Sequence, residues 1–89
     1  MNREELLEEL SKRHPKSKFR TSEEFSKDME GGIWTSGEDF KGEDLPLFNY
    51  YNESSSYIFG VKKSLHNWLE KRGWYCEWYD PGTVMIWKD

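Results

Sequence analysis

Three groups of residues have side chains suited to chemistry: one cysteine with two histidines, a cluster of carboxylates, and a strand crowded with rings. Cys76 is the only thiol, and His14 and His66 are the only imidazoles that could serve it as a base. A cysteine nucleophile needs a lowered pKa and a base within hydrogen-bond reach. Cys76 lies instead inside the run Trp74-Tyr75-Cys76-Glu77-Trp78-Tyr79, where a thiol between bulky rings behaves as a small, inert hydrophobe. His66 follows Leu65 beside an apolar helical stripe, and His14 precedes Pro15 at a helix end. Two histidines and one cysteine at unrelated spacings do not make a zinc site. The residues therefore name no catalytic set, no metal ligands and no cofactor.

Glu38, Asp39, Glu43 and Asp44 fall in a polar stretch where Gly-Glu-Asp plus an apolar residue occurs twice. Such carboxylates could take up a divalent cation, but the ligand alternation of a twelve-residue calcium loop is missing. A solvated loop fits the pattern better. Together with Glu23, Glu24, Asp28, Glu30 and Glu53, these carboxylates also offer an acidic surface to a basic partner. Mimicry of a nucleic-acid backbone is the extreme form of that reading.

The ring-rich strand carries the strongest signal. Period-two alternation places Trp74, Cys76 and Trp78 on one face and Tyr75, Glu77 and Tyr79 on the other. A half-buried strand normally shows one apolar and one polar face, yet here both carry rings. Glu77 decides which face meets water, because an ionised carboxylate is almost never fully buried without a partner. Tyr75 and Tyr79 are then exposed beside it, with Ile86 expected to add apolar area from the facing strand. Tyr-rich surfaces of this kind favour protein interfaces. The competing structural reading has a short element at 22–30 covering that face.

Lys12, Arg13, His14, Lys16, Lys18 and Arg20 form the one basic cluster. A basic run beside stacking rings follows the logic of single-strand nucleic-acid binders. The Gly-aromatic signatures of known RNA-binding modules are missing. Duplex DNA is disfavoured by charge: residues 1–20 carry +2, residues 21–60 carry −7 and residues 61–89 carry +1, giving the net of −4. An acidic middle opposes the phosphate neutralisation that drives duplex binding.

These residues need elements to position them. Asn2 and Glu5 have capping-box spacing ahead of Leu6, Leu7 and Leu10, and Pro15 stops a helix over 3–13. Thr21 to Glu24 repeats the box and predicts a short helix over 22–30; the competing reading makes 17–25 a strand paired with 32–36. Residues 47–51 and 56–59 read as a hairpin across Asn52-Glu53-Ser54-Ser55. Val61, Leu65, Trp68 and Leu69 mark an amphipathic helix over 61–72, with Trp68 as its expected core anchor and Gly73 after its end. Asp80-Pro81-Gly82-Thr83 joins 74–79 to 84–88 as a C-terminal hairpin. The expected fold is one α+β domain over 1–89: two main helices, a possible third short helix at 22–30, and an antiparallel sheet of about four to five strands.

Composition agrees with a folded chain. Aromatics make up 17% of the 89 residues, including five Trp, and such rings supply burial that the low mean hydropathy of −1.01 would otherwise withhold. No apolar run approaches the ~18 residues of a membrane span. The charged, acidic N-terminus is unlike a secretory signal, and a lone cysteine fits a reducing compartment, so the cytoplasm is expected. The function these observations favour is a non-catalytic protein-interaction module, self-associating or binding another protein. It would use Tyr75, Glu77, Tyr79 and Ile86 with the carboxylates of the 37–45 loop. The alternative is a single-stranded nucleic-acid binder, and third is a small enzyme with no identifiable catalytic set.

Overall fold

A computed structural model describes residues 1–38 and 46–89. The chain passes through helix α1 (Arg3–Arg13), strand β1 (Phe19–Thr21), a 3-10 turn (Ser22–Glu24), β2 (Ile33–Ser36), β3 (Tyr57–Ile58), β4 (Val61–Lys62), helix α2 (Lys63–Glu70), β5 (Trp74–Asp80) and β6 (Thr83–Lys88). Four strands form an antiparallel sheet in the order β1-β2-β6-β5, and β3 and β4 pair separately. The fold is α+β, as the pattern of elements predicts.

Helix α1 starts at its capping box. The Glu5 amide donates to Asn2 Oδ1 at 2.9 Å, and the Asn2 amide donates to Glu5 Oε1 at 3.1 Å. Acids in its first turn and bases in its last complement the helix dipole. Leu6 and Leu10 point inward and are fully buried, each contributing about 1.5–3 kcal/mol of burial. They join Ile33, Leu65, Leu69, Trp74, Val84 and Ile86 in one core between the helices and one face of the sheet.

Helix α2 is shorter than the expected 61–72. Val61 and Lys62 are extended and pair with Ile58 and Tyr57, so the helix begins at Lys63. Val61, Leu65 and Leu69 still enter the core. Trp68 packs against the core from its edge rather than inside it. At about 100° per residue, Trp68 is displaced by roughly 60° from Leu65 and 100° from Leu69. It lies half-buried on the flank, with the Arg13 and Arg72 guanidinium carbons 4.9 and 4.1 Å from its ring.

The short helix over 22–30 is replaced by one 3-10 turn. Glu24 reaches back to the Thr21 amide at 3.1 Å, but neighbouring side chains are engaged elsewhere. Glu23 pairs with Arg3 at 2.6 Å and accepts from the Gly31 amide at 3.1 Å. Ser22 Oγ accepts from the Gly32 amide at 2.9 Å. These bonds fold the segment back toward β2 in place of further helical turns. Within 17–25, only 19–21 pair with β2, opposite Thr35, Trp34 and Ile33.

The hairpin expected between 47–51 and 56–59 is also replaced. Tyr57–Ile58 instead turns through Phe59-Gly60 into Val61–Lys62, and Phe48 makes a single bridge to Val61. Phe59 and Gly60 have φ of +49° and +77°, the mirror-image turn whose twist suits a two-residue connection. Asn49 makes its own turn: its carbonyl accepts from the Asn52 amide at 3.0 Å, and its Oδ1 from the Tyr51 amide at 3.3 Å. That side-chain bond is a turn signal which removes Tyr50 and Tyr51 from any strand.

The C-terminal hairpin forms as its turn chemistry predicts, with an irregularity between Trp78 and Asp80. Trp74 is buried, and Cys76 and Trp78 pack against the same core. Ile86 was expected beside Tyr75 and Tyr79, but it lies opposite both Cys76 and Ile33 and is fully buried. Directly paired residues share a face. The residues facing Tyr75 and Glu77 are therefore Trp87 and Met85.

Candidate functional site

The outward face of the sheet holds Tyr75, Glu77 and Tyr79, all exposed. Glu77 Oε1 accepts from the Trp87 indole at 3.3 Å, which ties its carboxylate to the neighbouring strand. Part of this face is roofed. The Phe25 ring stands edge-on to Trp34 at 5.2 Å and to Tyr79 at 4.9 Å, and Met85 on the same face is fully buried. The segment around 22–30 thus covers some of this face without being a helix. Tyr75 and Tyr79 keep 41% and 56% exposure.

A larger exposed aromatic surface surrounds Trp78. Its indole donates to the Phe59 carbonyl at 2.7 Å and holds the β3–β4 turn against the sheet. Phe48 and Tyr50 stand edge-on to the Trp78 ring, with centroids at 6.1 and 5.1 Å. Tyr51 in turn stands edge-on to Tyr50 at 5.2 Å. Gly60 is needed here for two reasons: its φ is +77°, and a Cβ would sit 2.8 Å from the Asn49 carbonyl oxygen. Outside this packed hub, Phe59 is 90% exposed and Tyr51 77% exposed. Phe59 is also the one described non-glycine residue with positive φ.

Glu38 brings charge to the edge of this surface. It lines a cleft of about 440 Å³ with Asn49, Tyr50, Tyr51 and Pro81. Its carboxyl group lies against Gly82, and no Lys or Arg among the described residues pairs with it. Asp39, Glu43 and Asp44, expected to act with Glu38, lie outside the described residues. No protein-family model, curated protein or solved structure matches the chain. Its function has to be read from its own geometry.

The basic cluster does not stay together. Lys12 pairs with Glu8 at 3.1 Å, Arg13 lies over Trp68, and Arg20 lies over Trp34 at 5.4 Å on the opposite side of the sheet. Lys18 and Arg20 line a pocket of about 380 Å³ with Trp34, Thr35, Ser36, Gly82 and Thr83. Arg13 and His14 line a separate, smaller pocket with Ser64, Leu65 and Trp68, so the cluster is divided between two sites.

His66 and Cys76, weighed together for catalysis, have separate contacts in the fold, His66 with Glu70 and Cys76 against the core. His66 Nε2 is 3.0 Å from Glu70, one helical turn away. Burial pushes the Cys76 thiol up to about 12, which leaves almost no thiolate at neutral pH. Glu23 is held down at about 2, first by the Gly31 amide, then by its own amide and by Arg3. Burial also raises the Tyr57 hydroxyl, which donates to the Pro46 carbonyl at 2.6 Å. Among the described residues, no group of three His, Cys, Asp or Glu could hold a metal, and no helix is long and apolar enough to cross a membrane.

Sequence reasoning missed Tyr50, Tyr51 and Phe59. A signal for Phe59 was present: Phe-Gly between Tyr57-Ile58 and Val61-Lys62 is a two-residue turn between β-prone pairs. For the tyrosines the signal was Asn49, whose side chain favours a turn over continued strand.

Proposed function

We propose that the chain is a non-catalytic protein-interaction module whose docking surface is the exposed set Tyr50, Tyr51 and Phe59, with Glu38 at its rim. Phe59 is the observation that carries this reading. A phenyl ring left almost wholly in water has given up its burial, and its backbone occupies a conformation that L-residues other than Gly, Asn and Asp adopt at a cost. Local strain that the fold tolerates clusters at binding and switch sites. Large aromatics presented on a braced turn are the kind of anchor that dominates protein interfaces. Trp78 supplies the bracing through its bond to the Phe59 carbonyl.

Tyr75, Glu77 and Tyr79 form a second exposed aromatic strip in the same proposal, with the carboxylates between 37 and 45 contributing charge. The partner is another protein or a second copy of the chain, acting with this one domain in the cytoplasm, where Cys76 stays reduced. The runner-up, a single-stranded nucleic-acid binder, is favoured by one observation: Arg20 stacked on Trp34 above a pocket that also holds Lys18.

Affinity capture from lysate of the source organism separates the two readings. It is run with and without nuclease, for the parent and for a Phe59→Ser/Tyr51→Ser variant whose melt matches the parent. Protein captured by the parent in both conditions and lost with the variant is the expected result. Capture that needs intact nucleic acid, or that survives the double change, overturns the proposal.

A further inference from the structure

Resting on that reading, we propose that the cleft formed by Glu38, Asn49, Tyr50, Tyr51 and Pro81 receives the cationic end of a lysine or arginine side chain from a basic segment of the partner. The two tyrosine rings meet at 82° with centroids 5.2 Å apart. In this edge-to-face pair the rim of one ring covers part of the other's face, so the cation of the proposal meets the ring area that the 77% exposure of Tyr51 leaves open. Ring faces carry negative quadrupole density and attract Lys and Arg head groups within about 6 Å. The Glu38 carboxylate lines the same cleft, has no described cationic partner, and offers the opposite charge that rings alone lack.

The cleft is built to hold this arrangement. Tyr50 is fixed on its inner side by Trp78, and Tyr51 by the Asn49 turn. Glu38 is positioned by its amide, which donates to Ser36 Oγ at 3.2 Å, and by contact with Gly82. None of the five described lining residues is basic, so no cation among the described residues lining the cleft competes for the site. An aliphatic stem along Tyr51 and Pro81 with its charge at Glu38 matches a lysine or arginine side chain, which has a long apolar stem and a charged tip.

Small probes test the cleft without the partner. N-acetyl-lysine methylamide, its trimethylammonium form and the neutral norleucine analogue are titrated into labelled protein, and backbone amide shifts are followed by NMR. Both cations should move the amides of Glu38, Tyr50 and Tyr51 along saturable curves, while the norleucine analogue leaves them in place. Glu38→Gln should weaken the lysine probe about two- to five-fold, the range of an exposed ion pair. Tyr51→Leu should weaken the trimethylammonium form by a similar two- to five-fold. Tyr51 is exposed, so its replacement leaves the fold intact, and a thermal melt verifies this. Equal shifts from the neutral analogue, or cation curves unchanged in both variants, overturn the proposal. If capture depends on Phe59 but the cations leave the cleft unmoved, the cleft assignment fails alone. If the cations bind but capture ignores Phe59, the cleft stands and the docking surface fails.

Discussion

Replacing Phe59 with Asn should make the protein more stable. Phe59 sits at φ +49°, where a residue with an ordinary Cβ loses about 1–2 kcal/mol relative to a right-handed conformation. Asn enters this region at much lower cost, because its short polar side chain bonds locally. Little is lost in exchange. The ring is 90% exposed, so about a tenth of ~200 Å² leaves contact, worth roughly 0.5 kcal/mol. The Trp78 bond is to the Phe59 carbonyl and survives the change. The net gain is about 0.5–1.5 kcal/mol, a rise in Tm of about 3–10 °C for a domain of this size. Phe59→Gly should gain less, because glycine adds about 0.5–1 kcal/mol of unfolded-chain entropy. Phe59→Val should be destabilising, since a β-branched residue is a true outlier at positive φ. Urea titration followed by tryptophan fluorescence measures all three. A Phe59→Asn variant less stable than the parent would show that the ring is held by packing, and the case for an exposed functional anchor would be lost.

Ile86→Ala should cost about 2–5 kcal/mol, as for other fully buried aliphatics; a urea midpoint equal to that of the parent would return Ile86 to the surface. Cys76, half-buried against the core, should react slowly with thiol reagents at neutral pH, since burial holds its thiol at about 12; rapid stoichiometric labelling of native protein would contradict this and revive a nucleophilic role. Glu23 titrates at about 2, below its ordinary value of 4.5, so its contribution to stability is complete above that value and fades as pH falls toward 2. Glu23→Gln should lower the urea midpoint at pH 7 and flatten its decline through that acid window; an acid limb parallel to that of the parent would show that the Gly31 and Arg3 contacts do not persist in solution.

Local rules explain where the sequence was legible. The Asn2–Glu5 box and the stripe of Leu6 and Leu10 define α1 without help from the rest of the chain. Pro81-Gly82 does the same for the β5–β6 hairpin, and Glu77 identifies the outer face of β5. The failures arise where distant partners outweigh local preference. Thr21 to Glu24 looks like a helix start, but Arg3, twenty residues away, and Gly31, beyond the span of a helical turn, take the Glu23 carboxylate. Ile86 was misplaced because the hairpin register was not worked out: pairing it with Cys76 assigns it to the core at once. Tyr50, Tyr51 and Phe59 were read as strand residues from their β propensity. That propensity reflects fit to a half-buried pleated surface, and these residues sit on turns outside one.

The central claim is that Phe59 touches another protein, and site-specific photocrosslinking from position 59 tests it most directly. A p-benzoylphenylalanine placed there keeps an aromatic ring on the turn, and exposed Lys71, following α2, serves as the control position. Irradiation in source cells or their fresh lysate should give one discrete protein adduct, or a covalent dimer, from position 59 and none from position 71. An unmodified chain at position 59, or the same adducts from both positions, would contradict the account.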